Sequence, residues 1–112
     1  MYCFGGENQP PATPSQPTGA TQGEPGVSYS YSTFTTDPDE DSVYYYFDWG
    51  DGATSGWRGP YTSGTSITIK HQWENTGTYA VKVKAKDSLD QESEWSSPLT
   101  VLIDEDSALP AL

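Results

Sequence analysis

Residues 42–52, Ser-Val-Tyr-Tyr-Tyr-Phe-Asp-Trp-Gly-Asp-Gly, decide the fold of this chain. Side chains alternate between the two faces of a strand, and here one face carries Val43, Tyr45, Phe47 and Trp49 while the other carries Tyr44, Tyr46 and Asp48. The stretch then ends at Gly50-Asp51-Gly52, whose glycines supply the positive φ angles that a tight turn needs. This pattern predicts a strand with an apolar inner face that leads into a hairpin.

The composition favours a single all-β domain. The chain has 112 residues with 11 glycines and 9 prolines, a content typical of short strands and many turns. Only 33% of the residues are hydrophobic, but 13% are aromatic, so we expect the core to be built from a few large rings.

Charge and composition exclude several classes of function. Sixteen acidic and five basic residues give a net charge of -11, which repels nucleic acid. The single cysteine, Cys3, excludes an internal disulfide and a multi-cysteine zinc site. The chain has one histidine, no nucleophile motif and no phosphate-binding loop, so we expect no enzyme activity. No run reaches the ~18 apolar residues of a membrane span, so no transmembrane segment is expected.

The chain divides into three segments. Residues 1–25 form a Pro-rich flexible arm or linker, of which residues 17–20 fit a short edge strand. Residues 26–103 form the folded domain, and residues 104–112 form an acidic tail. We interpret Cys3 as a free thiol in a disordered end, because Tyr2 does not suit the alternative, a lipid-modified bacterial terminus.

Alternating patterns predict strands at residues 27–31, 42–49, 66–73, 78–86 and 95–103. Residues 56–61 contain too much Gly and Pro for a central strand and are predicted to form a bulged or looped connection. About seven short strands at this spacing predict a two-sheet, immunoglobulin-like β-sandwich.

Two motifs resemble those of PKD domains. Residues 47–52, Phe-Asp-Trp-Gly-Asp-Gly, are similar to the family's Trp-Asp-Phe-Gly-Asp-Gly signature with the two aromatic residues exchanged. Residues 71–73 and 77–87 resemble its His-x-aromatic and Gly-x-Tyr-x-Val-x-Val-x-x-x-Asp segments. The resemblance implies an immunoglobulin-like, non-catalytic module of extracellular, surface-layer or secreted proteins, and it names no ligand.

Acidic side chains gather in two predicted loops that this topology places at one end of the sandwich. The residues with metal-ligating potential are Asp37, Asp39, Asp41, Asp87 and Asp90. Ca²⁺ takes six to eight oxygen ligands, and the resemblance implies calcium as a cofactor because some PKD domains bind it near this loop. Two interpretations stay open, a calcium site or solvated turns in which Asp37 and Asp41 accept hydrogen bonds from local amides.

A second candidate site is the outer face of the sheet. Its predicted ligand-binding residues are Tyr44, Tyr46, Lys82, Lys84, Trp57 and Tyr61. Such a surface can contact a polypeptide or a sugar, whereas the alternative is that the lysine stems, including that of Lys86, simply cover their own sheet. His71 shares the parity of Ile67 and Ile69, and we predict a core imidazole bonded to Asp48 or Asp51.

The sequence therefore predicts a non-catalytic structural or adhesive module located extracellularly or at the cell surface. Expected partners are a protein or polysaccharide at that surface, or other copies of the chain in a filament. The alternative is a carbohydrate- or protein-binding accessory domain of a secreted hydrolase.

Overall fold

A computed structural model describes residues 9–104, and Cys3 and the tail beyond residue 104 lie outside the described residues. These residues form two sheets and contain no helix long and apolar enough to span a membrane. The eight strands are β1 (Thr18–Gly19), β2 (Gln22–Gly23), β3 (Ser28–Thr33), β4 (Val43–Asp48), β5 (Thr54–Tyr61), β6 (Ile67–Gln72), β7 (Gly77–Asp87) and β8 (Leu99–Ile103).

The two sheets pack face to face as the predicted all-β sandwich. One has the strand order β1-β3-β6, and the other has the order β2-β8-β7-β4-β5. All the pairings are antiparallel except the short parallel pairing of β2 with β8. β4 therefore lies between β5 and β7, and its inner face meets the three-stranded sheet.

Aromatic rings fill the space between the sheets. The predicted inner face of β4 is buried, since Val43, Tyr45 and Phe47 have no exposed surface. Trp49, just after the strand, is 2% exposed. The ring of Trp73 meets that of Trp49 edge-on at 6.3 Å, and its indole N–H donates a hydrogen bond to the Trp49 carbonyl oxygen. This bond satisfies a polar atom that burial would otherwise leave without a partner.

The described part of the Pro-rich segment lies along the three-stranded sheet. Pro11, Pro14 and Pro17 are buried, and β1 pairs with β3. Before β1, the N–H groups of Ala12 and Ser15 donate hydrogen bonds to carbonyl oxygens beyond the end of β3. Residues 12–25 thus add an edge to the sandwich, while the domain boundary at residue 25 stays a prediction.

Two stretches differ from the sequence-based assignment. The connection predicted at residues 56–61 belongs to β5, an edge strand whose register with β4 shifts twice, as bulged edge strands do. The last strand begins at Leu99 and not at Trp95. Before this strand, the Ser93 and Ser96 hydroxyls accept hydrogen bonds from amides of β7, so side chains replace part of the backbone pairing. Pro98 cannot donate a backbone hydrogen bond to a neighbouring strand, because it has no N–H.

Candidate functional site

The loop that connects β3 to β4 is folded around the carboxylate of Asp37, whose residue is only 3% exposed. Its Oδ1 atom accepts hydrogen bonds from the amides of Asp39, at 2.7 Å, and Asp41, at 3.3 Å. The Asp37 amide in turn donates to the hydroxyl of Ser63, in the connection between β5 and β6. Aspartate favours this local turn, so the sequence itself brings the acids of the loop together.

Three carboxylates of this loop form one cluster. One oxygen from each of Asp37, Asp39 and Asp41 lies within 4.8 Å of the others. The Oδ2 atoms of Asp37 and Asp41 are buried, and neither has a hydrogen-bond partner among residues 9–104. Buried acceptors are normally paired, so two unpaired oxygens in one cluster make this loop the candidate metal site of the described residues.

Electrostatics in the loop disfavour the charged form of Asp37. Burial raises the pKa of this carboxyl group, and the negative charges of Asp41 and Asp87 add to the increase. Hydrogen bonds from the amides of Asp39 and Asp41 oppose the shift but do not cancel it. A bound cation would stabilise the ionised group, because an opposite charge close by favours ionisation.

The other two acids predicted for the site lie elsewhere. Asp87 ends β7 opposite Val43, and its Oδ1 accepts hydrogen bonds from the amides of Leu89 and Gln91. It is close enough to affect the pKa of Asp37 but is not one of the clustered carboxylates. Asp90 forms an ion pair with Lys86 at 2.8 Å. The structure thus brings together three of the five residues.

A polar cleft of about 400 Å³ adjoins the acidic cluster. Its lining residues come from two connections and are Thr36, Asp37, Glu40, Thr62 and Ser63. No sequence pattern predicts this cleft, because residues 62–63 meet residues 36–40 only in the folded sandwich. Its lining side chains carry hydroxyl and carboxylate groups, but apolar atoms contribute as much of its surface as polar atoms do.

The outer face of the five-stranded sheet carries an aromatic–lysine surface. Its members, from β4, β5, β7 and the segment before β8, are Tyr44, Tyr46, Trp57, Lys82, Lys84, Lys86 and Trp95. The ammonium of Lys84 lies 4.9 Å from the ring centre of Trp95, 5.5 Å from that of Tyr46 and 5.7 Å from that of Trp57. Each such contact is a cation–π interaction within the usual ~6 Å limit.

Two of the three lysines of this surface also have acidic partners. Lys84 pairs with Glu92 at 2.7 Å and Lys86 with Asp90 at 2.8 Å. Tyr61, which the sequence grouped with these residues, instead packs on the buried ring of Tyr45 at 5.9 Å. Trp95 also belongs to this surface, although the sequence analysis placed it in a strand. The one sequence feature that could have indicated this is its position just before the strand that pairs with β7.

His71 occupies the predicted position beside the core. Its imidazole stacks on the ring of Trp49 at 4.5 Å and 3°, and its Nε2 lies 2.9 Å from Oδ2 of Asp51. The prediction of a bond to the turn is thus confirmed for Asp51. Burial would raise the pKa of Asp51, but hydrogen bonds from His71 and from the Ala53 amide outweigh it and lower this pKa.

The architecture defines the chain as an immunoglobulin-like β-sandwich module. A family model described as PKD domain matches residues 12–97, and the chain belongs to this family, as the sequence motifs predicted. The chain is 46% identical to the PKD domain of M14-like peptidase from Thermoplasmatales archaeon SCGC AB-540-F20, with a TM-score of 0.81 over 87% of this chain and 98% of that one. The comparison with curated proteins found no match. PKD domains are a non-catalytic type, typically found in extracellular or surface proteins.

Proposed function

We propose that the chain is a structural or adhesive module of an extracellular or cell-surface protein, and that one calcium ion stiffens it. Asp37, Asp39 and Asp41 would hold the ion. The observation that carries this proposal is the pair of buried, unpaired Oδ2 atoms of Asp37 and Asp41 in one cluster of carboxylates.

The donor set fits calcium among the biological cations. The cluster offers only carboxylate oxygens, the ligands of hard cations, and no sulfur or imidazole of the kind that zinc prefers. Calcium tolerates irregular coordination and a partly hydrated shell, whereas magnesium demands near-ideal octahedral geometry. A loop with one exposed carboxylate, that of Asp39, suits the more tolerant ion.

The position of the cluster explains what a cation would do mechanically. The loop of residues 37–41 carries the chain from β3 in one sheet to β4 in the other. Through the bond from the Asp37 amide to Ser63, it also holds the connection between β5 and β6. An ion bound here would fix two crossings between the sheets at one end of the sandwich, which is useful in a spacer under tension.

Calcium binding is tested by isothermal titration calorimetry and by melting with 10 mM CaCl₂ or with a chelator. For a dissociation constant in the ~10⁻⁴–10⁻³ M range of extracellular modules, 10 mM calcium adds about 1.4–2.7 kcal/mol of stability. Binding heat and a higher melting temperature in calcium support the proposal. Identical melting in calcium and chelator, with no binding heat, contradicts it.

A second candidate function is an accessory domain that binds polypeptide or polysaccharide for a secreted hydrolase. Two observations favour it: the similar solved domain comes from a peptidase, and four aromatic rings share one sheet face with three lysines. Tyr46, Trp57, Lys82 and Lys84 would supply the contacts, with Trp95 at the rim, while Tyr44 and Lys86 extend the same surface. The partners would be surface proteins, polysaccharides or further copies of the chain.

A glycan array and a panel of immobilised polypeptides test this second function. Binding that Trp57→Ala weakens by tenfold or more, and that Tyr79→Ala leaves unchanged, supports it, since aromatic residues dominate binding energies. Tyr79 is a matched control because its ring packs against the core at 5.5 Å from Trp73, away from the aromatic–lysine surface. Binding that survives Trp57→Ala, or no binding to either panel, excludes this surface.

A further inference from the structure

Residues 9–17 form a Pro-rich strap that docks on the sandwich with a repeat of three residues. Pro11, Pro14 and Pro17 are buried, whereas the residues between them are exposed. A polyproline II helix has three residues per turn, so every third side chain lies on one face. The spacing of the buried prolines matches this repeat, and the strap therefore contacts the sandwich with one proline-lined face.

The groove that holds the strap is lined with hydrogen-bonding groups for a polypeptide backbone. Thr33 and Thr35 are each only 3% exposed, and their hydroxyls donate hydrogen bonds to two strap carbonyl oxygens. The acceptors are Ser15, at 2.7 Å, and Ala12. The amides of the same two strap residues donate to carbonyl oxygens that follow β3. An empty groove would leave the buried hydroxyls without these partners, and such a loss destabilises a protein.

The strap is linked to the body of the sandwich by an open turn. β1 and β2, of two residues each, lie between the strap and the turn at residues 25–26. Gly26 in this turn has a φ of 81°, and apart from its chain neighbours no atom of the described residues lies within 4 Å of where its Cβ would be. A change of backbone angles at this turn would redirect residues 9–23 and leave β3–β8 in place. In two exchanged copies, the segment would make with its partner the contacts that it now makes within its own chain.

Charge makes a second copy a suitable donor of this segment. The net charge of the chain is -11, so copies repel one another. Residues 9–23 contain no Asp, Glu, Lys or Arg. The segment can therefore enter the groove of another copy without adding like charge at the contact. Its sequence also fits the groove, because the same segment occupies the groove of its own chain.

We infer that the groove at Thr33 and Thr35 is an exchange site for a second copy of the chain, whose strap takes the place of the chain's own. The inference rests on the structural role proposed above, for which it names the partner, and it does not depend on the calcium ion. A strap tethered to its own groove acts at an effective concentration in the millimolar range, so exchange needs copies crowded to about 1 mM. Reciprocal exchange gives a closed pair, and exchange from one copy to the next gives a filament.

Disulfide trapping tests the exchange, because the Oγ atoms of Ser15 and Thr33 lie 3.0 Å apart across the groove. Ser15→Cys and Thr33→Cys are placed in separate full-length chains that also carry Cys3→Ser, and the two chains are mixed under mild oxidation at about 1 mM. Thr13→Cys, at an exposed strap position, replaces Ser15→Cys in the matched control. We expect a covalent heterodimer that forms roughly tenfold faster than in the control, since a docked strap holds the two sulfur atoms together.

A chain that carries both Ser15→Cys and Thr33→Cys is the positive control and should close its internal disulfide, while circular dichroism checks that each variant is folded. An internal disulfide without a heterodimer above the Thr13→Cys control overturns the exchange and leaves the structural role and the calcium site standing. A folded double variant that does not close overturns the docking of the strap itself. If Thr33→Cys does not fold, NMR diffusion of the unsubstituted chain decides, and a monomer at about 1 mM overturns the inference.

A synthetic peptide of residues 9–17 with Ser15→Cys tests the alternative donor. If this peptide reacts with the Thr33→Cys chain and the full-length Ser15→Cys chain does not, a second copy is excluded and the groove is assigned to a Pro-rich segment of a different protein. Calorimetry with CaCl₂ on the same chains tests the calcium site separately. An absence of binding heat contradicts the calcium proposal and leaves the exchange standing.

Discussion

Asp37→Asn is expected to stabilise the calcium-free domain and to remove its response to calcium. The amide side chain keeps the Oδ1 acceptor that holds the Asp39 and Asp41 amides, so the turn stays intact. It replaces the unpaired Oδ2 by an N–H donor next to the carboxylate of Asp41, whose Oδ2 lacks a hydrogen-bond partner among the described residues. One substitution thus separates the architecture of the loop from its charge.

The size of the effect follows from the separation of the charges. Two carboxylates no more than 4.8 Å apart repel by at least ~1 kcal/mol in water and ~3.5 kcal/mol at an effective dielectric constant of 20. We therefore expect calcium-free Asp37→Asn to gain about 1–3 kcal/mol, each kilocalorie raising the melting temperature by about 4–8 °C in a domain of this size. In 10 mM calcium the wild type gains about 1.4–2.7 kcal/mol, and the variant gains far less.

Melting by circular dichroism, with and without chelator, measures both changes. Asp90→Asn is the control, because Asp90 pairs with Lys86 outside the cluster. Its exposed ion pair contributes only about 0–1 kcal/mol, and its calcium response should match that of the wild type. Asp37→Asn that melts lower than the wild type in chelator, or that keeps the full calcium shift, would refute the reasoning.

The pH dependence gives an independent check of the same group. The folded-state pKa of Asp37 is raised, so its ionisation destabilises the fold. Without calcium, this group makes the wild type more stable as the pH falls through its folded pKa towards the ordinary carboxyl value of ~3.9. Asp37→Asn should lack this gain, which shows as a flatter stability curve over that acidic range.

Two further predictions concern the turn after β4. In urea unfolding, Gly50→Ala should lower the free energy of unfolding by roughly 1–3 kcal/mol more than Gly52→Ala does. Both glycines have positive φ, but only a Cβ at Gly50 would meet the backbone of Ala80, at 2.7 Å. Equal losses of stability would contradict this. The pKa of Asp51 is lower in the folded state, so its ionised form stabilises the fold at pH values above the unfolded pKa of ~3.9. This stabilisation is lost as the pH falls through the folded pKa. Asp51→Asn should therefore cost about 1–2 kcal/mol at pH 6 and progressively less as the pH falls through the folded value, and a cost that does not change with pH would count against the pairing with His71.

The alternation of apolar and polar residues made the fold predictable wherever one face of a strand is buried. The alternation in β4 and β7 predicted which side chains face the core, because a shift of one residue would bring Tyr44 or Lys84 inside. That the two strands are neighbours followed from the immunoglobulin-like topology, and the structure pairs them. Bulges break that period in β5, and serine hydroxyls replace backbone partners before β8, so both were assigned less accurately. Such irregular pairing depends on tertiary contacts that no local pattern encodes.

In the candidate site, too, the features set by local sequence were predictable and those set by tertiary contacts were not. Asp37, Asp39 and Asp41 are brought together by a turn within a few residues, which is a local property that sequence reveals. Whether Asp87 or Asp90 also faces the cluster depends on where a second loop folds, and there Lys86 draws Asp90 away. The cleft needs residues 62–63 as well, so only the folded chain displays it.

The two ends of β4 are held by different means, and this bears on the function. At its C-terminal end, Asp51 in the turn forms a hydrogen bond with His71 of β6, so a contact built into the chain joins the two sheets. At its N-terminal end, the loop of residues 37–41 makes the same crossing with carboxylates that repel one another. One end is therefore closed by the protein itself, whereas the calcium ion that we propose would close the other. With that ion bound as proposed, the module would be stiffest where calcium is plentiful, as it is outside cells.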